Sequence, residues 1–181
     1  MNKILAFIFL ILLTPLLMLV GLIIVLEDGF PIIFRQKRIG LNNNHFLIFK
    51  FRTMKKNTPD IPTHLMDKNI PYTRIGPYIR KYSLDELPQL VNIVRGEIKF
   101  IGPRPALYNQ KDLIKMRTEK NIHTLLPGIT GWAQVNGRDE LSMAQKVELD
   151  YFYLKNISFR LNVFILWLTI LKVIKAEDVS I

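Results

Sequence analysis

Apolar residues are concentrated near the two ends of this 181-residue chain, and the middle has the mixed pattern of a water-exposed domain. Residues 4–26 form an almost unbroken apolar run. At about 1.5 Å per residue, a helix of this length can cross a hydrocarbon core of roughly 30 Å. The second stretch, Phe159–Lys175, is interrupted by Arg160 and Lys172, so its uninterrupted part is too short to span. We expect a helix lying in the membrane interface, with a buried core helix as the alternative.

Thr14 and Pro15 lie near the middle of the first apolar run. Proline removes one backbone hydrogen bond of a helix and clashes with a preceding carbonyl, so we predict a kink, with the Thr14 hydroxyl covering one carbonyl. Each half, residues 4–13 and 16–26, is only about 15–16 Å long, roughly half of a hydrocarbon core. A hairpin that enters and leaves by the same face is therefore allowed, and a kinked transmembrane helix is the alternative. Basic residues after the run favour a cytoplasmic body in both cases.

The middle of the chain predicts short strands and helices. Residues 30–34 and 46–54 are aromatic and β-branched segments separated by a turn at residues 40–44, which predicts a β-hairpin. Residues 57–72 contain three prolines and are typical of an irregular loop or lid. Residues 127–138 contain three glycines, so we expect a loop whose backbone can approach a ligand closely. Helices are expected at residues 83–95 (ended by Gly96), 108–123 and 142–154.

Length and composition limit the kinds of function that this chain can have. A chain of 181 residues suits one catalytic domain with a membrane segment. The formal net charge of +10 is compatible with nucleic acid, anionic lipid or phosphorylated substrates. Because the basic residues match no helix-turn-helix, RNA-binding or zinc-finger pattern, we do not expect a nucleic-acid partner. Cysteine is absent, which excludes disulfides, thiolate nucleophiles and cysteine metal sites.

The dipeptide Asp85-Glu86 carries the most specific chemistry of the chain. Ser83-Leu84-Asp85-Glu86 matches a capping box, in which Ser83 begins a helix and Glu86 reaches back to it, so Glu86 has a structural alternative. In the first turn of that helix, the dipole would favour the charge of Asp85. A carboxylate is ionised at pH 7, and it attacks phosphorus only where nearby cations neutralise the incoming phosphate.

Arg80 and Arg104 are the candidate cations, because the guanidinium fork matches phosphate oxygens. For Arg80 the alternative is an ion pair with Glu86; for Arg104, which sits between two prolines, it is a solvated surface position. Mg²⁺ fits adjacent carboxylates together with a diphosphate. The chain contains no nucleotide-binding P-loop and no nucleophile elbow, and its three histidines match no metal spacing.

Five motifs follow one another along the chain: Thr14-Pro15, FKFRTM at 49–54, SLDELPQL at 83–90, GPRP at 102–105 and PGITGWAQVNGR at 127–138. In this order they resemble the bacterial sugar transferase family, the monotopic polyprenyl-phosphate phosphoglycosyl transferases of the small single-domain type. The resemblance implies an α+β, mainly helical, membrane-associated single domain with a small β-hairpin and interfacial amphipathic helices. Residues 1–28 would form a re-entrant membrane helix hairpin, and residues 29–181 a catalytic domain with Phe159–Lys175 as its interfacial helix.

The resemblance also implies a two-step reaction with Mg²⁺ held at Asp85 and Glu86. Asp85 would attack the β-phosphate of a UDP-sugar, release UMP and hold the phosphosugar covalently until polyprenyl (undecaprenyl) phosphate accepts it. Glu86 would assist Asp85 in proton transfer or metal placement. The residues implied in binding phosphate or substrate are Arg80, Arg104, Lys50, Arg52 and Arg138.

The implied partners are a UDP-sugar, polyprenyl phosphate and the bacterial inner membrane, with the catalytic domain on the cytoplasmic face. A homo-oligomer or contacts with downstream glycosyltransferases stay open. The product would initiate a glycan such as an O-antigen, a capsule or a glycoprotein glycan, and the sequence does not identify the sugar. Two alternative functions are a membrane-bound phosphatase that uses Asp85 and a non-catalytic polysaccharide-assembly protein.

Overall fold

The computed structural model describes residues 2–56, 58, 71–137 and 140–175. The expected α+β class with a helical majority is confirmed, because the chain is about 58% helical and has a small antiparallel hairpin. Short 3₁₀ helices occur at Leu41–Asn43, Leu84–Glu86 and Ile122–Thr124. The main elements are α1 (Asn2–Asp28), β1 (Ile33–Ile39), β2 (His45–Phe51), α2 (Gly76–Lys81), α3 (Gln89–Arg95), β3 (Lys99–Ile101), α4 (Lys111–Glu119), β4 (Gly128–Thr130), α5 (Trp132–Val135), α6 (Met143–Lys155) and α7 (Phe159–Lys175).

The β-hairpin of β1 and β2 is antiparallel, with Ile33 opposite Phe51 and Ile39 opposite His45. Its turn includes Asn42, whose φ of 52° lies in the left-handed region that asparagine tolerates better than most residues. The predicted hairpin is confirmed, but β1 extends well beyond the expected residues 30–34. It includes basic residues because their long side chains can lie across the exposed face, as Arg35 does over the ring of Phe49 at 5.8 Å.

Helix α1 runs through Pro15 as one α-helix and packs on the body along its whole length. Its first half contacts a core cluster around Ile93 of α3, and its second half contacts a cluster around Phe51 and Ile79. The Thr14 hydroxyl donates to the carbonyl oxygen of Leu10 at 2.8 Å, as expected for a hydroxyl beside a proline. Among the described residues, α1 is the one helix long and apolar enough to span a membrane, with a mean hydropathy of 3.1. The hairpin topology stays a prediction.

The capping box expected at Ser83 does not form, and the helix expected at residues 83–95 is divided in two. Ser83 has a left-handed φ of 53° and its side chain caps nothing. Pro88 has no N–H to donate to Leu84, so the α-helical hydrogen bonds cannot continue through this position. A 3₁₀ turn at Leu84–Glu86 therefore precedes α3, which ends as predicted at Gly96, with a φ of 83°.

Strands β3 and β4 form a parallel pair that brings two of the family motifs together. A Cβ atom on Gly128 or Gly131 would overlap backbone atoms of Gly102. The sequence predicts that the glycines of residues 127–138 allow close approach to a ligand. In the structure, Gly128 and Gly131 instead allow two backbone segments to approach each other.

The C-terminal helices complete the body. The expected helices at 108–123 and 142–154 are present as the shorter α4 and as α6, whose N-terminus carries a capping box between Ser142 and Gln145. Helix α7 has the predicted bounds and is held by two polar contacts. Tyr153 of α6 donates its hydroxyl hydrogen to Asn162 Oδ1 at 2.9 Å, and the Thr169 hydroxyl lies 2.7 Å from that of Thr130 in β4. Its location at a membrane interface stays a prediction.

Candidate active site

Asp85 and Glu86 lie on the 3₁₀ turn before α3 and are 9% and 7% exposed. Lys50 of β2 reaches both carboxylates: its Nζ lies 2.6 Å from Glu86 Oε1 and 3.7 Å from Asp85 Oδ2. The chain therefore buries two adjacent carboxylates and provides a cation that contacts both. Burying such a pair without a cation would carry a large desolvation cost.

Lys50 is itself largely buried, with 16% of its side chain exposed. Burial lowers the pKa of Lys50, and the negative charges of Glu86 and Asp85 oppose this shift. The ammonium group consequently loses its proton at a lower pH than an ordinary lysine does. Lys50 is a titratable cation at the centre of the carboxylate pair.

Arg104 is the second cation at this site. Its Nη1 lies 3.5 Å from Glu86 Oε1, and 31% of its side chain is exposed. Its neighbours Pro103 and Pro105 restrict the backbone. A guanidinium group at this position can contact both the carboxylate pair and a ligand arriving from solvent.

The buried ion pair of Arg117 and Asp150 holds the backbone of Arg104 in place. Arg117 of α4 donates from Nη1 to the carbonyl oxygen of Arg104 at 2.8 Å, and from Nη2 to Asp150 Oδ2 of α6 at 2.6 Å. Asp150 is 1% exposed; burial raises its pKa, and the charge of Arg117 opposes that shift. The sequence analysis missed this pair. Asp150 lies three residues from both Val147 and Tyr153, so all three share the buried face of one helix. This spacing could have indicated a buried carboxylate.

For two other predicted binding residues, Arg80 and Arg52, the described contacts are with groups other than the carboxylate pair. The Arg80 guanidinium is 5.3 Å from the centre of the Tyr72 ring, and no ion pair with Glu86 is found in the described part of the chain. Arg52 contacts the end of α1, with its Nη2 2.9 Å from Asp28 Oδ2 and 2.8 Å from the carbonyl oxygen of Gly29. Arg52 therefore ties the hairpin to the end of α1, and its part in substrate binding stays a prediction. Arg138 lies outside the described residues.

A cavity of about 420 Å³ opens beside the carboxylate pair, between α1 and α7. The surface that lines it is mostly apolar, and Glu86 and Arg104 also line it. The site thus joins a charged end to an apolar space. The helices that form two of its walls contribute Phe9, Leu13, Leu166 and Thr169.

The residues at the site fit a magnesium ion that a diphosphate would help to hold. Asp85 and Glu86 supply hard carboxylate oxygens and both contact the same lysine Nζ, so the two groups are close together. Among the described residues there is no cluster of three or more acidic, histidine or cysteine side chains. Mg²⁺ commonly binds one or two carboxylates together with substrate phosphates and water, which matches this set.

Comparison with known families gives a match to the profile described as "Bacterial sugar transferase" over residues 1–176. This chain belongs to the bacterial sugar transferase family. One relative, named "Uncharacterized sugar transferase EpsL" from Bacillus subtilis (strain 168), is 42% identical over 178 residues, which cover 97% of this chain and 86% of that protein.

Two further relatives have names that state an activity. The "Undecaprenyl-phosphate glucose phosphotransferase" of Komagataeibacter xylinus is 42% identical, covering 87% of this chain and 32% of that protein. The "UDP-N-acetylgalactosamine-undecaprenyl-phosphate N-acetylgalactosaminephosphotransferase" of Aeromonas hydrophila is 37% identical, covering 87% of this chain and 38% of that protein. This sugar transferase chain therefore spans about a third of the length of each of these two.

Three of the motifs that indicated the family meet at one point in the structure. Lys50 comes from residues 49–54, Glu86 from residues 83–90 and Arg104 from residues 102–105, and Glu86 contacts both cations. The described part of the 127–138 motif packs against Gly102 next to them. Segments far apart in the sequence are thus assembled into one charged site.

Proposed function

We propose that this sugar transferase moves a sugar-1-phosphate from a UDP-sugar to polyprenyl phosphate and thereby initiates assembly of a glycan. Membership of the family makes it a transferase of sugar-phosphate groups. The observation that carries the proposal is the convergence of Lys50 and Arg104 on the buried pair Asp85 and Glu86 beside an apolar cavity. The two relatives with a stated activity support the acceptor, since both names contain undecaprenyl phosphate.

In the first step, a carboxylate oxygen of Asp85 attacks the β-phosphorus of the UDP-sugar. The bond from that phosphorus to the oxygen bridging the two phosphates breaks, and UMP leaves with the bridging oxygen and the electron pair. Asp85 then carries the phosphosugar as an acyl phosphate. Nucleophilic catalysis of this kind divides one difficult displacement into two easier ones.

In the second step, a phosphate oxygen of polyprenyl phosphate attacks the same phosphorus atom. The bond to Asp85 breaks and the carboxylate is regenerated, leaving a polyprenyl-diphospho-sugar. The charges of donor and acceptor are both negative, so neither step proceeds well without fixed cations at the reacting phosphorus.

Lys50 and Arg104 provide those cations in this proposal. Lys50 contacts both carboxylates, and the partly exposed Arg104 faces the side from which a phosphate can arrive. Glu86 holds the two cations in place, which fixes where the positive charge lies before substrate binds. Mg²⁺, when bound at Asp85, Glu86 and the donor diphosphate, would supply further neutralisation of phosphate charge.

We further propose that the protein lies at the cytoplasmic face of the inner membrane, with α1 entering and leaving by that face. Two sets of contacts support this topology, because each end of α1 lies against the same body. The Lys3 side chain packs over Gly96, at the end of α3. At the other end, Glu27 Oε2 accepts from the backbone N–H of Ile75 at 3.1 Å, and Asp28 pairs with Arg52.

An assay of UMP release tests the proposed reaction against its alternatives. Purified wild-type protein with Mg²⁺, a panel of UDP-sugars and polyprenyl phosphate should release UMP and form a lipid-linked phosphosugar in equal amounts. A phosphatase would release inorganic phosphate and ignore the lipid. A non-catalytic assembly protein would give neither product, and wild-type behaviour of an Asp85→Asn variant in glycan assembly would favour that function.

A further inference from the structure

The cavity between α1 and α7 has the shape and chemistry of a binding site for a hydrocarbon chain that ends in a charge. Leu13 of α1 and Leu166 and Val173 of α7 line opposite walls, and Phe100 of β3 contributes to the floor. The Thr130–Thr169 hydroxyl contact joins α7 to β4, so the wall formed by α7 is fixed relative to the floor. The walls are therefore apolar and belong to a packed structure.

This cavity is continuous with the exposed apolar surface of the two helices. Phe9 of α1 and Leu166 of α7 both line the cavity, and each is still 40% exposed. Further along α1, Leu12 is 67% exposed. A hydrocarbon chain dissolved in a bilayer could thus enter between α1 and α7 without crossing water, which an apolar opening favours.

The lining also includes charged side chains, those of Lys81, Arg104, Lys172 and Glu86. Glu86 and Arg104 belong to the carboxylate site as well, so the cavity and that site share a charged end. A phosphate monoester carries close to two negative charges at neutral pH. A guanidinium group at this shared end can bind its oxygens.

We propose that the cavity holds the isoprene units next to the phosphate of the polyprenyl phosphate acceptor, with Leu13, Leu166 and Val173 as the residues that contact the chain. This inference rests on the proposed function and adds to it the place and the residues of acceptor binding. A UDP-sugar is polar along its whole length, so it complements the mostly apolar surface of these walls less well than an isoprene chain does. The uridine part of the donor is therefore placed on the solvent side of the carboxylate pair. The acceptor phosphate then attacks phosphorus opposite the Asp85 oxygen, from the side that UMP has left.

Single-cysteine variants give a direct test, because the chain contains no cysteine. Leu166→Cys places a thiol on the cavity wall, and Ile170→Cys places one a helical turn further along, at an exposed position that does not line the cavity, as the matched control. Neither residue belongs to the catalytic site. Each variant, in detergent micelles, is modified with an apolar maleimide with and without polyprenyl phosphate, in the absence of donor.

Polyprenyl phosphate at about ten times its dissociation constant should slow modification of the Leu166→Cys variant by about ten-fold, because the unfilled fraction is then about a tenth. Modification of the Ile170→Cys variant should stay within about two-fold, since a thiol outside the cavity is not covered. Equal rates with and without acceptor at both positions would overturn the inference. Equal protection at both positions would also overturn the inference, because it would mean that polyprenyl phosphate alters the micelle and does not fill the cavity.

Three other ligands test whether protection of the Leu166→Cys thiol is specific to polyprenyl phosphate. Inorganic phosphate and a UDP-sugar should leave the Leu166→Cys thiol reactive, because neither brings a hydrocarbon chain into the cavity. An anionic phospholipid should protect it less than polyprenyl phosphate does at the same concentration. Protection by UDP-sugar, or equal protection by phospholipid, would assign the cavity to another occupant.

The protection assay requires no turnover, so it separates this inference from the proposed reaction. A wild-type protein that releases no UMP would contradict the reaction, whatever the thiol rates are.

As a second measurement, Leu166→Trp should fill part of the cavity and raise the acceptor KM by about ten-fold, corresponding to about 1.4 kcal/mol. Formation of UMP without acceptor and the donor KM should be unchanged, and Ile170→Trp should match wild type. A larger effect on donor than on acceptor would contradict the assignment.

Discussion

Lys50 is the residue through which pH should control the reaction. Burial lowers its pKa, so as pH rises the ammonium group becomes neutral before an ordinary lysine would, at about 10.4. Neutral Lys50 no longer offsets the charges of Asp85, Glu86 and the donor diphosphate. We therefore expect kcat/KM for the UDP-sugar to fall on the alkaline side at a pH below that ordinary value.

The Lys50→Arg variant is the control for that profile. A guanidinium group keeps its charge to a pH above about 12, so the alkaline fall should move to higher pH even if the maximal rate decreases. The donor titrates identically in both reactions, so any difference belongs to the protein. Identical alkaline limbs in wild type and Lys50→Arg would show that another group controls the fall.

Asp150 should act on the site through Arg117 and the backbone of Arg104. Asp150→Asn leaves the buried Arg117 charge without its partner, which costs about 3–5 kcal/mol of stability. Urea unfolding should report that loss. In the double variant Asp150→Leu with Arg117→Met, the stability should largely return, because replacing both members of a buried ion pair by apolar residues is often neutral.

The same double variant separates positioning from stability. Arg117→Met removes the N–H that donates to the carbonyl oxygen of Arg104 at 2.8 Å, so the KM for the UDP-sugar should be higher than in wild type even when stability has returned. Wild-type donor KM in a well-folded double variant would show that Arg117 and Asp150 serve only the stability of the body.

The sequence predicted the site membership of some residues correctly and could not predict the contacts of others. Asp85, Glu86 and Arg104 were predicted as one site because their chemistry and motifs point to phosphate, and the structure brings Glu86 and Arg104 into contact. The position of Arg52 could not be predicted, since its partner Asp28 belongs to α1 and is distant in the sequence. The dipole argument for Asp85 required a long helix, and Pro88 prevents that helix from starting at Ser83.

At the level of elements, similar local patterns gave different structures. A capping-box sequence occurs at Ser83 and again at Ser142, but only the second forms the two reciprocal hydrogen bonds. The second is followed by an uninterrupted helix, whereas the first is followed by Pro88 within the next two turns. Longer segments without an internal proline, such as α6 and α7, were consequently predicted well. Strands β3 and β4 have three residues each, too few for a periodic signal.

The proline in α1 should determine how the protein sits in the membrane. Pro15→Leu restores a backbone N–H that can donate to the carbonyl oxygen of Ile11, which removes the predicted cause of a kink in the membrane. A straight helix of 27 residues is about 40 Å long at about 1.5 Å per residue, enough to cross the bilayer. We expect a larger fraction of molecules with an N-terminal tag on the far side, measured by protease protection of the tag in vesicles.

Leu16→Ile is the matched control for this topology measurement, because it changes the neighbouring side chain and keeps Pro15. Its tag should remain on the cytoplasmic side, as in wild type. A tag that stays entirely cytoplasmic in Pro15→Leu would count against the proline as the cause of the proposed topology, and would favour the contacts of α1 with the body instead.

The whole molecule combines a basic body with two exposed apolar helices. Its formal net charge of +10 attracts it to anionic membrane surfaces, where each basic residue near the surface contributes about 1 kcal/mol. In the proposed topology, helices α1 and α7 set the depth at which the carboxylate pair lies. A polyprenyl tail stays in hydrocarbon, so its phosphate group lies at the height of the lipid headgroups. The proposed arrangement brings that phosphate and a water-soluble donor to one aspartate.

The most direct test of this account is to look for the phosphosugar on the protein itself. Wild-type protein is mixed with Mg²⁺ and a UDP-sugar radiolabelled in the sugar, without acceptor, quenched and separated on a denaturing gel. A labelled polypeptide should form together with one UMP per labelled chain, and polyprenyl phosphate should discharge the label into lipid.

The Asp85→Asn variant should show no labelled polypeptide and should lose turnover by on the order of a thousand-fold or more. Such a result would assign the covalent bond to the Asp85 carboxylate. Lipid-linked product that accumulates at the wild-type rate while no labelled polypeptide can be trapped at any time point would contradict the account.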